Sequence, residues 1–268
     1  ATLMGANLPR LVTPVFVLQS LAANLCGMIV PFGNPQNLYL YSYYGLGLGD
    51  FLAAMALPFA LSTAGIVACT WWLCGQSNGG SDRDDTRSLA APMPLSRRRL
   101  AIYGALVALT LLAVFRIVPV AAAVAVVAAA LAALDRRALA AVDWGLLATF
   151  ACFFVFAGNM ARVTEVSAWL SPLMADHGLL VSAGLSQIIS NVPAAVLLSG
   201  LTEDWKGLLA GVDVGGLGPP VASLASLISM KFYLRSREAK PLPYFLWFTA
   251  ANVVGLLVLL PVAARLVH

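Results

Sequence analysis

The feature that most constrains this chain is the length of its apolar runs. Residues 51–75 and 178–200 contain no charged side chain, and apolar runs of similar length cover 99–117, 118–134, 143–161 and 242–266. A hydrocarbon layer of about 30 Å is crossed by about 20 apolar residues in a helix. The chain is 60% hydrophobic and only 10% charged, whereas a soluble domain carries about 25% charged residues. A soluble fold of this size has too little interior for that much apolar surface. Leu, Ala and Val dominate long runs with no strand-type alternation, which argues against a β-barrel. The expected fold is therefore an all-α integral membrane bundle.

Charge placement points the same way. The net charge of +4 comes from 16 Lys and Arg set in short loops between apolar runs, so no nucleic-acid partner is expected and the lipid bilayer is. If the hydrophilic linker at 76–95 is cytoplasmic, that face carries Arg10, Arg83, Arg87, Arg97, Arg98, Arg99, Arg136, Arg137, Lys231, Arg235, Arg237 and Lys240. This is 12 of the 16, leaving Arg116, Arg162, Lys206 and Arg265 outside. The assignment holds only if the 178–200 segment enters and leaves on the same outer face. Cys26, Cys69, Cys74 and Cys152 have no metal-type spacing and read as small buried hydrophobes. No signal peptide is visible. The expected location is the cell inner (plasma) membrane, with multiple passes.

Three runs are interrupted. The one near residues 10–28 meets Gly27-Met28-Ile29-Val30-Pro31-Phe32-Gly33-Asn34-Pro35-Gln36-Asn37, too rich in Gly, Pro and Asn to continue a helix, and resumes at 38–44. The one near 207–231 meets Gly211-Val212-Asp213-Val214-Gly215-Gly216-Leu217-Gly218-Pro219-Pro220 and resumes at 221–232. Between them, 179–189 and 194–201 are each short for a span and meet at Ser190-Asn191-Val192-Pro193, which reads as a re-entrant hairpin at 178–200 with a polar tip. The two broken helices run in opposite directions, the mark of an inverted repeat. The expected organisation is a first-repeat part at 1–75, a linker at 76–98, and a second repeat at 99–268 that ends in the span 242–266.

Unpaired backbone groups cost several kcal/mol each in lipid, so helices stay broken only where protein or a water-filled cavity satisfies them. Each break is thus a site hypothesis. Asn34 and Asn37 offer amide groups three residues apart and Gly33 permits close backbone approach, although the same residues also suit a kink held by neighbouring helices. Ser190 and Asn191 offer the same chemistry at the hairpin tip. Asp213 is the most informative residue, because a carboxylate at mid-membrane depth is normally paired, cation-bound or proton-carrying. Asp50 and Asp143 read as span-boundary residues, Gln187 as a cavity residue or a helix–helix hydrogen bond, and Ser223 and Ser226 as close helix packing. His177 falls in an expected outer loop. No His, Glu or acidic pair in the spans suits an intramembrane enzyme.

These residues resemble the ion transporter superfamily, which includes citrate-type carriers, divalent-anion:sodium symporters and arsenite-efflux permeases. The resemblance lies in 24–38, 186–195 and 211–226, three ordered motifs over nearly the whole chain. It implies two inverted repeats, each with a re-entrant hairpin and a broken helix, around the substrate and coupling ions. On the matching positions it implies ion and substrate contacts at Gly33, Asn34 and Asn37, at Ser190 and Asn191, and at Gly215, Gly216 and Gly218. Related sequences often carry a hydroxyl residue at the first position of the Pro219-Pro220 pair, and this one does not. A first hairpin should precede the first break, so an upstream segment of roughly three or four spans is expected.

The functional expectation is a secondary transporter that moves an anion, either a carboxylate or an inorganic oxyanion, coupled to Na⁺ or H⁺ and without any other cofactor. An arsenite, metalloid or cation efflux permease, or an ion channel, is the alternative. The expected partner is a small-molecule or inorganic ion, and a homodimer is compatible with it.

Overall fold

The computed structural model describes residues 9–75, 96–236 and 239–267, and the linker expected at 76–95 lies outside them. All regular structure among these residues is helical. In chain order the α-helices are α1 (Pro9–Leu25), α2 (Pro35–Tyr43), α3 (Leu48–Gly75), α4 (Arg97–Val114), α5 (Val120–Leu134) and α6 (Arg136–Ala140). They continue with α7 (Trp144–Met160), α8 (Thr164–Ile189), α9 (Asn191–Ser199), α10 (Trp205–Val214), α11 (Leu224–Leu234) and α12 (Pro241–Val267). By packing, the described residues divide into two units, those within 1–78 and 150–268 and those within 79–149.

Local chemistry sets many of the boundaries. Ser96 caps α4 by accepting from the Arg99 amide, Asp204 caps α10 through the Gly207 amide, and Ser223 caps α11 through the Ala225 amide. Pro35 opens α2, where its missing N–H leaves nothing unpaired. In the smaller unit α4 packs on α5, and the Tyr103 hydroxyl donates to Asp135, whose other carboxylate oxygen caps α6.

Both expected breaks are present. A 3₁₀ turn at Cys26–Ile29 and an extended Val30 end α1 before α2 resumes at Pro35. Residues 215–223, with a 3₁₀ turn at Pro220–Ala222, separate α10 from α11. The break starts later than its glycines suggested, because α10 stays helical through Gly211 and Asp213 to Val214. Gly211 serves packing there: a Cβ would stand 2.6 Å from the Leu179 carbonyl oxygen on α8.

The segment read as a loop before the hairpin is helical instead. Helix α8 begins at Thr164, bends at His177 (φ −140°, ψ 39°) and continues to Ile189. Leu170 and Met174, one turn apart, are buried while Trp169 is exposed, so this first arm is amphipathic rather than irregular. Beyond the bend, the 178–189 arm and α9 pack together across a tip at Ser190.

Among the described residues, three stretches are long and apolar enough to cross a membrane, Leu11–Ile29, Leu48–Gly75 and Pro241–Leu266. The α7–α8 pair, bent by 88°, makes a fourth if counted as one span. Large apolar side chains lie exposed along them, among them Trp71, Val254 and Leu257. Water would not tolerate such a surface, and lipid would. The cysteines follow it: Cys69, Cys74 and Cys152 are exposed and Cys26 is half-buried, against the expectation of buried positions. By contrast, α10 is enclosed on every side, with each residue from Gly207 to Val214 buried.

Candidate ion and substrate site

The two broken helices meet at their breaks. Asn24, in the last turn of α1, donates through Nδ2 to the Asp213 carbonyl oxygen at 3.3 Å, and Asp213 occupies the last turn of α10. Ser223, which opens α11, donates to Asn24 Oδ1 at 3.2 Å. Asn34 Nδ2 donates to the Asn24 carbonyl at 2.8 Å, tying the start of α2 to the end of α1. Gly216 lies between: a Cβ on it would stand 2.5 Å from Asn24 Nδ2 and 2.9 Å from Asn191 Nδ2. The first break, the second break and the hairpin tip therefore converge on one spot.

The tip itself is strained. Ser190 has φ 75° and ψ 152°, a region that L-residues rarely occupy, and its hydroxyl donates to the Ala222 carbonyl at 3.4 Å. Gly218 has φ +143°, and its amide donates to Asn252 Oδ1 at 3.1 Å. Gln187 Nε2 donates to the Gly215 carbonyl at 2.7 Å and so satisfies an oxygen that the end of α10 leaves free. The N-termini of α2, α9 and α11 all open at this convergence, each presenting first-turn N–H groups and the positive end of a helix dipole.

Asp213 dominates the electrostatics. Its carboxylate is 1% exposed, and among the described residues that are buried it is the only charged one. Gln36 Nε2 donates to its Oδ1 at 2.8 Å, and Asn37 lies alongside the same carboxylate. Asp213 Oδ2 has no hydrogen-bond partner, nor has Asn37 Oδ1, whose amide nitrogen is spent on the Met28 carbonyl at 3.4 Å. Asp213 Oδ2 and Asn37 Oδ1 are thus two buried acceptor oxygens without a donor in one neighbourhood. Among the described residues no group of three or more His, Cys, Asp or Glu side chains suits a metal ion.

Comparison with known proteins identifies the family. A family model for citrate transporters matches residues 3–228. The chain belongs to the citrate transporter family. Inner membrane protein YbiR of Escherichia coli is 28% identical, a match covering 93% of this chain and 68% of that protein. The uncharacterized transporter MJ0456 of Methanocaldococcus jannaschii is 30% identical over 81% of this chain and 57% of its own length. The uncharacterized transporter Rv2685 of Mycobacterium tuberculosis is 26% identical over 84% of this chain and 60% of its own. The chain thus spans from somewhat over half to about two thirds of these relatives. No solved structure matches it.

Within this member of the citrate transporter family, the residues singled out from sequence fall into one neighbourhood by different routes. Asn34, Asn37, Asn191 and Asp213 are buried polar groups. Gly33 permits a close pass, since a Cβ there would lie 2.0 Å from the Gly27 carbonyl oxygen. Gly215 lets α10 approach α8, and Gly216 makes room for the amides of Asn24 and Asn191. Sequence reasoning missed Asn24, Gln36 and Asn252, which hold this site together. Asn24 and Gln36 stood inside the quoted motif, but their contacts reach residues 189 and 177 positions away. Ser223 and Ser226, read as packing residues, are buried and also form interhelical hydrogen bonds, to Asn24 and to Ser20.

Proposed function

We propose that this chain carries the coupling core of a secondary active transporter that moves an anion in step with a proton or Na⁺, with Asp213 as the group that takes up the coupling cation. The observation that supports this most directly is the buried Asp213 carboxylate with an unpartnered oxygen and no buried basic residue beside it among those described. A carboxylate in that setting is too costly to keep ionised and alone. A proton or cation arriving at Oδ2 and Asn37 Oδ1 removes the cost, so its binding is coupled to the packing of α2 against α10.

The anion has a place beside it. The N-termini of α2, α9 and α11, with Asn191 and Ser190 at the tip, offer N–H donors and positive dipole ends without a fixed cationic side chain. The cation neutralises Asp213 and so removes the repulsion an incoming anion would meet. This order of events distinguishes a coupled carrier from a channel, which needs no such linkage. We further read the two broken helices as partners in an inverted repeat, since Asn24 and Asp213 hold equivalent places in the last turn before each break.

Proteoliposomes holding the full-length protein test the reading. Labelled citrate, and arsenate or arsenite as alternatives, is offered with and without Na⁺ and pH gradients. Gradient-driven uptake and acceleration by substrate on the far side are expected, with the gradient dependence lost in Asp213→Asn. Ohmic current without exchange, or full coupling in Asp213→Asn, overturns it.

A further inference from the structure

A cavity of about 170 Å³ lies between α3, α10 and α12, lined by Asp50, Ala53, Ala54, Met55, Lys206, Ala210 and Leu266. Its two charged groups, Asp50 and Lys206, are both exposed, while Met55 and Ala210 at its inner end are buried. Lys206, Ala210 and Asp213 are spaced by four and three residues, so they share one face of α10. The cavity stops one helical turn short of Asp213, and Lys206 stands about 10 Å from Asp213 along the axis at about 1.5 Å per residue. Asp50 opens α3, and nothing in the site described above uses it.

We propose that this cavity is the entry port through which the coupling cation reaches Asp213, with Asp50 as the residue that attracts it at the mouth. The inference rests on the reading of Asp213 given above. Three features carry it. Opposite charges at the rim suit a wet vestibule rather than a lipid tail. Apolar walls below them, from Ala53, Ala54 and Met55, focus the field of Asp50 inward. The floor lies on the same helical face as the buried Asp213 carboxylate. Lys206, with its Nζ 5.6 Å from the Trp205 ring, offsets Asp50 so that a cation passes rather than stays, as conduction through any charged mouth requires. In the conformation seen here the last turn of α10 is sealed, so the port communicates with Asp213 only when α10 shifts against α3.

Thiol labelling tests this without knowledge of the substrate. In full-length protein with its natural cysteines replaced by alanine, Ala54→Cys is expected to react with membrane-impermeant methanethiosulfonates from the face that labels Lys206→Cys. The ratio of rates for a cationic over an anionic reagent should fall about tenfold in Asp50→Asn and rise in Lys206→Gln. At Ala210→Cys the cationic preference should fall on adding Asp213→Asn, and this reports that the path ends at that carboxylate. Failure of Ala54→Cys to react from either face, or a ratio unmoved by Asp50→Asn, overturns the port. An Ala210→Cys ratio indifferent to Asp213 overturns its destination. The Asp213 reading can fail separately, by retained gradient coupling in Asp213→Asn with the labelling pattern intact.

Discussion

At Ser190 the backbone sits where only glycine is comfortable, and a non-glycine residue there costs of order 1–3 kcal/mol. The hydroxyl recovers part of this through its bond to the Ala222 carbonyl. Ser190→Gly is therefore expected to raise the melting temperature in detergent, while Ser190→Val lowers it; a drop with glycine would show that the serine backbone is relaxed. Gln36 makes the opposite case. Removing it in Gln36→Ala leaves Asp213 Oδ1 buried without a donor, which costs about 1–3 kcal/mol. Adding Asp213→Asn should give back more stability than the same change does in the wild-type background, because the two side chains share one hydrogen bond; an equal change in both backgrounds, read by a double-mutant cycle of thermal unfolding, would show that they act independently. Asp213 was legible in the sequence because a lone acid in an apolar run is rare and expensive. Gln36 was not, since an amide near a Pro-rich break has many ordinary uses and only the fold brings it to α10.

The breaks were legible as elements for a physical reason: Gly33, Pro35, Gly216, Gly218 and the 219–220 proline pair cannot extend a helix in lipid without exposing backbone. Their limits were less legible. Gly211 looked like part of the second break and is helical, because a glycine at a helix crossing and a glycine at a helix end read alike. The first arm of α8 was hidden by Pro172 and by serines that suit a loop as well as an interfacial helix. Close approach of α10 to α8 is the element-level feature that positions Asp213. In Gly215→Ala the new methyl would stand 2.6 Å from the Gly211 carbonyl oxygen and 2.7 Å from Ala183 Cα, both backbone atoms that cannot step aside. A loss of about 1–3 kcal/mol is expected. Gly184→Ala, on the same pair of helices with nothing within 4 Å, serves as the control and should be neutral or stabilising. Equal effects of the two substitutions on thermal unfolding would deny that the α8–α10 contact is tight.

For the molecule as a whole, charge counting and packing group the helix ends in the same way. Charge counting puts Lys206 and Arg265 on one face and Lys231, Arg235 and Lys240 on the other. Packing in the larger unit gives the same division without any reference to charge. Asp50 at the start of α3, Lys206 at the start of α10 and Leu266 at the end of α12 line one cavity, so those three helix ends lie together. Near the opposite ends, the Tyr233 hydroxyl meets Thr13 Oγ1 at 2.8 Å and accepts from the Lys240 amide at 2.8 Å, which gathers the start of α1, the end of α11 and the start of α12. If the basic residues obey the positive-inside rule, the Lys240 end is expected on the cytoplasmic side. In right-side-out vesicles of the cysteine-free protein, an impermeant maleimide is expected to label Leu266→Cys and Lys206→Cys and to spare Lys240→Cys, and inverted vesicles should reverse the pattern. Labelling of Leu266→Cys and Lys240→Cys from the same face would break the link between charge and packing, and labelling of Leu266→Cys and Lys206→Cys only in inverted vesicles would reverse the direction in which the Asp50 port opens.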